Sequence, residues 1–248
     1  MRYFLDISYF GTNYHGWQIQ NNAATVQAEI EDALTKLLGS PTPIMGSGRT
    51  DTGVHAKQQV AHFDTEKVLD TLQFMFKLNS FLSSDIAING LCEVNTEAHS
   101  RFDAVERSYE YFIHTHKNPF KQQLSYYFPK PLAIDKMNEA ATKLIGMYDF
   151  ESFSKVKTEV NNFLCSVKEA RWQMENDSLV FRVTANRFLR GMVRALVGTL
   201  LEVGLGKLST EDFVKIIEMK DRKAAGRAVP AHGLFLSKIT YPDSVYLK

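Results

Sequence analysis

Cysteine is scarce in this chain: Cys92 and Cys165 are the only two in 248 residues. Two thiols without convergent histidines make a poor zinc site, and they fit a reducing cytoplasm better than a disulfide framework. Long apolar runs are missing too, since no stretch approaches the roughly 18 uncharged residues of a membrane span. The N-terminal run MRYFLDISYF carries Asp6 inside it and has no small-residue cleavage site, so it reads as a strand rather than a signal peptide. Net charge is nearly absent: 29 Lys+Arg against 28 Asp+Glu leave +1. Any nucleic-acid partner must therefore meet basic residues gathered locally, because there is no bulk positive field.

What is present describes a folded globule. Hydrophobic residues make up 44% and charged residues 23%, which excludes wholesale disorder. Tyr3, Leu5, Ile7 and Tyr9 alternate as on a strand, and Val26, Ile30, Ala33, Leu34 and Leu37 recur at helical spacing. Thr25 is placed to cap that helix, and Gly39 and Pro41 to stop it. A short alternating segment through Val60 and Phe63 follows. A second helical pattern uses Val68, Leu72 and Phe76, and Ile86–Val94 reads as a strand. The second half repeats this grammar. It has a strand at Tyr109–Ile113, a helix around Met137–Leu144 and a hairpin turning near Asn176–Asp177. An apolar helix from Met192, a helix boxed by Ser209 and Asp212, and a strand at Leu234–Ile239 complete it. The expected fold class is α+β, two similar halves with antiparallel or mixed sheets, divided as 1–104 and 105–248. No Pro/Ser-rich linker separates them.

Three segments can carry chemistry. In G46-S-G-R-T-D-T-G-V-H-A56, Arg49 and Asp51 lie between two glycines. A guanidinium close to a carboxylate favours its ionised form, so Asp51 suits a nucleophile or base; an Asx-turn with a surface arginine is the plainer reading. The glycine spacing is that of neither a dinucleotide fingerprint nor a P-loop. In F181-R-V-T-A-N-R-F-L-R-G-M-V-R194 four arginines crowd a nearly neutral chain. Arg190 and Arg194 are spaced to share a helix face, either gripping phosphate or simply solvated. In R101-F-D-A-V-E-R-S-Y-E-Y-F112, Tyr109 sits on a strand, where it can stack on a base or pack in a core. His114 and His116 read as an exposed pair with no third metal ligand, and His55 is close enough in sequence to couple to Asp51, although loop neighbours often point apart.

Taken together, these segments resemble the tRNA pseudouridine synthase A family. Y9-F-G-T-N-Y-H-G-W-Q-I-Q20 is similar to its N-terminal signature and G48-R-T-D-T-G-V-H-A56 to its catalytic loop. H99-S-R-F-D-A104 with R107-S-Y109, F188-L-R-G-M-V-R194 and A231-H-G-L-F-L236 follow in the family's order. The resemblance implies two halves joined across a central, basic cleft. It implies an isomerase that converts uridine to pseudouridine at tRNA positions 38–40, in the anticodon stem-loop, as a cytoplasmic homodimer with no metal and no organic cofactor. By motif position Asp51 would be the catalytic aspartate. Arg49 would help to position the substrate, Tyr109 would stack near the target base, Arg194 would pair with Asp51, and Leu234 would pack against the uracil. The chain departs from the family pattern at Phe10 (usually Asp), Thr52 (usually Ala), Tyr148 (usually His) and across Asn161–Ser166. Those departures bear on RNA contacts and target position. Three alternatives stand beside this reading: a non-catalytic RNA-binding protein on the same scaffold, a synthase for another RNA position, and a nucleoside glycosidase. The last usually needs a second carboxylate, and Asp51 has none close in sequence.

Overall fold

The computed structural model describes residues 1–155 and 162–247, so Asn161, the first of the divergent Asn161–Ser166 stretch, lies outside it. The chain forms two compact units. One comprises Met1–Glu106 and Phe235–Lys248, the other Arg107–Leu234. The division falls after Glu106, where the expected halves divide after 104, and the C-terminal segment returns to the first unit.

In the first unit the strands are β1 (Arg2–Tyr9), β2 (Met45–Gly46), β3 (His55–Asp64) and β4 (Ile86–Val94), with helices α1 (Val26–Leu38) and α2 (Thr71–Phe81). β1 lies between β4 and β3, antiparallel to both; Leu5 faces Ala61 on one side and Leu91 on the other. β2 is a short antiparallel partner of β3, with Met45 opposite His62. α1 forms as its sequence dictates. Thr25 Oγ1 accepts the Ala28 N–H, Gly39 ends the helix in the left-handed region (φ 77°), and Val26, Ile30, Ala33, Leu34 and Leu38 are buried. α2 begins on an Asp70 cap, and its buried residue is Leu78. Of the apolar residues that define its period in the sequence, Val68 precedes the helix, and Leu72 and Phe76 face outward; all three are exposed.

The second unit holds β5 (Glu106–His114), β6 (Tyr126–Tyr127), α3 (Ile134–Thr142), β7 (Gly146–Asp149), β8 (Leu164–Glu175), β9 (Ser178–Ala185), α4 (Met192–Gly204) and α5 (Thr210–Met219). Here β9 pairs antiparallel with β5 and β8, β8 with β7, and β6 joins β5 in parallel. The hairpin turns where expected, with Asn176 at positive φ (53°) between β8 and β9. α4 is buried along almost its whole length, as its apolar sequence requires, and α5 carries the Ser209–Asp212 capping box. β10 (Leu234–Thr240) follows, and from Phe235 onward it lies in the first unit, parallel to β3. Each unit thus combines strands of mixed direction with helices, the α+β class read from the sequence.

Candidate active site

Asp51 sits in the loop that joins β2 to β3, half-buried, with Arg49 exposed two residues before it. The loop ends in a turn in which the Val54 N–H meets the Asp51 carbonyl at 3.1 Å. Gly53 takes the left-handed position of that turn (φ 76°), which a side chain would strain. Asp51 is thereby held at the head of a tight turn.

The loop is clamped from two sides. From below, the fully buried Gln59 of β3 donates from Nε2 to the Gly48 carbonyl at 3.0 Å and accepts the Ser47 hydroxyl on Oε1. From the side comes the polar stretch that follows β1. Tyr9 and Thr50 share a hydroxyl–hydroxyl hydrogen bond of 2.8 Å. The Trp17 N–H donates to the Thr50 carbonyl, and the Gly53 N–H to the Tyr14 carbonyl, each at 3.3 Å. Gly16 (φ 91°) passes so close that a Cβ there would lie 2.4 Å from the Thr50 oxygen. The Gly11 N–H donates to His55 Nδ1 at 3.0 Å. The Y9–Q20 motif therefore acts as the brace of the G48–A56 motif, which explains why the two occur together. Sequence reading missed Gln59, which stands among other polar residues of β3 (His55, Lys57, Gln58, His62) and carries no signal that sets it apart from them.

The second unit holds the other residues singled out in the sequence. Tyr109 of β5 is half-buried and meets the Phe188 ring edge-to-face, centroids 5.0 Å apart. Arg194 of α4 donates from Nε to the Val229 carbonyl at 2.7 Å, while the Val229 N–H returns to the Arg194 carbonyl at 3.2 Å. Val229 is thus tied to both the side chain and the backbone of Arg194. Leu234 is buried at the first residue of β10. The segment before it is pinned by the Tyr111 hydroxyl, which donates to the Pro230 carbonyl at 2.8 Å. Burial drives the Tyr111 phenol well above its ordinary pKa, so it stays a donor.

The arginine cluster is not a single patch. Arg182 is an internal ion-pair member, with Nε 3.0 Å from Glu110 and Nη2 2.7 Å from Glu175. Arg187 donates to Asn162 at 3.3 Å. Arg190 precedes the helix, which starts at Met192, so it does not share a helix face with Arg194. Among the described residues no group of three or more His, Cys, Asp or Glu side chains gathers as a metal would require. No described helix is long and apolar enough to cross a membrane.

A family model described as tRNA pseudouridine synthase matches residues 7–103 and 140–242. The chain belongs to the tRNA pseudouridine synthase family. The tRNA pseudouridine synthase A of Parabacteroides distasonis is 49% identical over 246 residues, covering 99% of this chain and 98% of that one. Those of Bacteroides fragilis (48% over 247 residues, 99% and 98%) and Bacillus subtilis (42% over 247 residues, 98% and 100%) match as fully. As a tRNA pseudouridine synthase the chain is an isomerase, and the alternative of a nucleoside glycosidase falls away. Phe10 and Tyr148, two of the residues that depart from the resemblance, both pack against aromatic rings. Phe10 stacks on one face of the buried His55 ring, at 4.8 Å, while Phe235 covers the other at 4.6 Å. Tyr148 packs edge-on against Phe150 at 6.3 Å with its ring partly exposed. Thr52 is exposed on the loop itself.

Proposed function

We propose that the protein converts uridine to pseudouridine in the anticodon stem-loop of tRNA, at positions 38–40, with Asp51 as the catalytic carboxylate. The observation that carries the reading is the built loop: a half-buried aspartate at the head of a turn braced by Gln59, Tyr9, Tyr14 and Trp17. Rigid presentation of one acid is what the chemistry asks for. The N1–C1′ bond breaks, a C5–C1′ bond forms, the proton at C5 leaves and N1 ends protonated, with no net redox change. One carboxylate suffices, by adding to C6 of the base, by adding to C1′ of the sugar, or by taking the C2′ proton on a glycal route. The detached uracil must be sheltered from water while it turns. The target nucleotide must leave its stem at a cost of a few kcal/mol, which phosphate contacts and stacking offset.

In this reading Arg49 orients the substrate from the same loop. Tyr109 offers its ring to the target base, Arg194 supplies the basic partner of the reaction, and Leu234 packs against the uracil. The enzyme works in the cytoplasm as a homodimer, and the exposed apolar side of α2 supports the dimer. The experiment is tritium release from C5-labelled tRNA. Asp51→Asn and Asp51→Ala are expected to release none while keeping the fold and most RNA affinity; turnover like that of the unmodified enzyme in Asp51→Ala defeats the assignment. Site mapping of tRNA from a deletion strain tests positions 38–40 separately.

A further inference from the structure

The motif H99-S-R-F-D-A104 lies outside the Asp51 loop and its braces. Its Phe102 is 74% exposed, yet the turn that carries it is rigidly built. The His99 N–H donates to Asp103 Oδ2 at 2.7 Å, and the Asp103 N–H returns to the His99 carbonyl at 3.1 Å. The Arg101 and Phe102 N–H groups both converge on His99 Nδ1, at 3.1 and 3.3 Å. Beneath them the fully buried Ser100 donates from Oγ to the Met45 carbonyl at 2.6 Å. The same residue contacts His62 Nδ1 through its hydroxyl (2.8 Å) and its N–H (3.2 Å) and accepts the Tyr241 hydroxyl on its carbonyl. The Phe102 ring lies 4.3 Å from the His99 ring, and the Arg101 guanidinium 5.6 Å from the Phe102 centroid.

We propose that Phe102 and Arg101 form a subsite for an unpaired nucleobase of the RNA substrate, the base stacking on the exposed ring and the guanidinium meeting the adjacent phosphate. The proposal rests on the reading of the protein as an RNA-modifying enzyme and adds a specific contact to it. An aromatic ring held in place before binding loses little further freedom when a flat partner covers it. The π-face of a base is such a partner, and stacking is tolerant of base identity. A base inside a duplex already has both faces covered, so the subsite selects a looped-out or single-stranded nucleotide. An apolar protein partner fits less well, because it would have to strip water from the guanidinium beside the ring. The pedestal is also tied to the reaction: Ser100 holds the carbonyl of Met45, and Met45 belongs to the strand that leads into the Asp51 loop.

The test uses the full-length enzyme and unmodified tRNA. Phe102→Ala should weaken tRNA binding roughly ten-fold, with the loss falling on KM rather than kcat. Phe102→Tyr should restore most of it. Phe102→Trp should keep affinity and show emission quenched by a single-stranded oligoribonucleotide, but not by an equal length of blunt duplex. The protein's own Trp17 and Trp172 are both buried, so the new signal stands out against the parent. If the parent binds and modifies tRNA while Phe102→Ala binds equally well and Trp emission ignores single strands, the subsite is wrong and the enzyme assignment stands. If the parent binds no tRNA at all, both fail. If Phe102→Ala instead changes the sedimentation of the free protein, the ring is a protein contact and the proposal is overturned.

Discussion

Gln59 shows how one buried polar side chain can matter more than its charged neighbours. Its amide spans Ser47 and Gly48, so Gln59→Leu removes the hydrogen bonds from Gln59 to the Gly48 carbonyl and from the Ser47 hydroxyl to Gln59. Losing a buried partner costs about 1–3 kcal/mol. The expected result is a lower melting temperature together with a fall in kcat larger than any rise in KM, since the loop that carries Asp51 loosens; unchanged kcat would separate Gln59 from catalysis. His62 offers a pH test at the same scale. Burial, helped by Arg2 and His99, pushes its pKa down to about 4, against the opposing pull of Asp64 and Asp103. The unfolded chain therefore binds a proton that the folded one refuses between about pH 6.5 and 4. Stability from this residue is intact above pH 6.5 and drains away as pH falls toward 4, by about 1.4 kcal/mol per unit. Urea unfolding from pH 7 to 4.5 should show this slope, and His62→Gln should flatten it; parallel curves would refute the burial argument. Single residues were the hardest to read from sequence. On pattern alone Asp51 reads more plainly as a turn former, because a lone Asp between glycines has the same spacing in either role. His114 is not part of an exposed pair but buried, with Nδ1 3.0 Å from the Ser125 hydroxyl. Period alone does not say whether a strand's polar residue has found an internal partner.

Elements were far more legible, because their signals are local. Caps mark α1 and α5, the Asn176–Asp177 turn marks the β8–β9 hairpin, and alternation places β1. Apolar residues at Val68, Leu72 and Phe76 gave the right kind of element and the wrong face, since α2 touches the core chiefly through Leu78, Phe74 stacking on Phe63 at 6.4 Å. Helical period reports that one side is apolar and is silent on whether that side meets this chain or another. Leu72 is 74% and Phe76 is 77% exposed on adjacent turns, a stripe that a second copy of the same helix can cover about a two-fold axis. The double variant Leu72→Lys, Phe76→Lys should therefore sediment as a monomer with its circular dichroism unchanged. If the sedimentation coefficient of the double variant equals that of a dimeric parent, the interface lies elsewhere.

At the scale of the whole molecule, the first unit is not one continuous stretch of chain. It opens with Met1–Glu106 and is completed by Phe235–Lys248 after the second unit has intervened. The reason is invisible in local patterns, because it lies in pairings across more than a hundred residues. β10 runs parallel to β3, Phe235 beside His55 and Leu236 beside Ala56, and the Ile239 N–H donates to Gln58. Beyond the strand, the Tyr241 hydroxyl reaches the Ser100 carbonyl, the Asn95 N–H meets the Val245 carbonyl, and Asn95 Nδ2 meets the Ser244 carbonyl. Each such bond contributes about 1 kcal/mol net, and burial of Tyr241 and Val245 adds hydrophobic stabilisation of about 1.5–3 kcal/mol for a side chain the size of valine. Deleting residues 241–248 should thus cost several kcal/mol, a large share of the 5–15 kcal/mol typical of a folded domain. Scanning calorimetry should find the first unit melting early or already open. Limited proteolysis should cut within Met1–Glu106 before it cuts Arg107–Leu234. Tyr241→Phe isolates one hydroxyl and should lose only about 1 kcal/mol. A truncated protein with the parent's melting temperature would mean that the strand pairing alone closes the unit and the final residues are decoration.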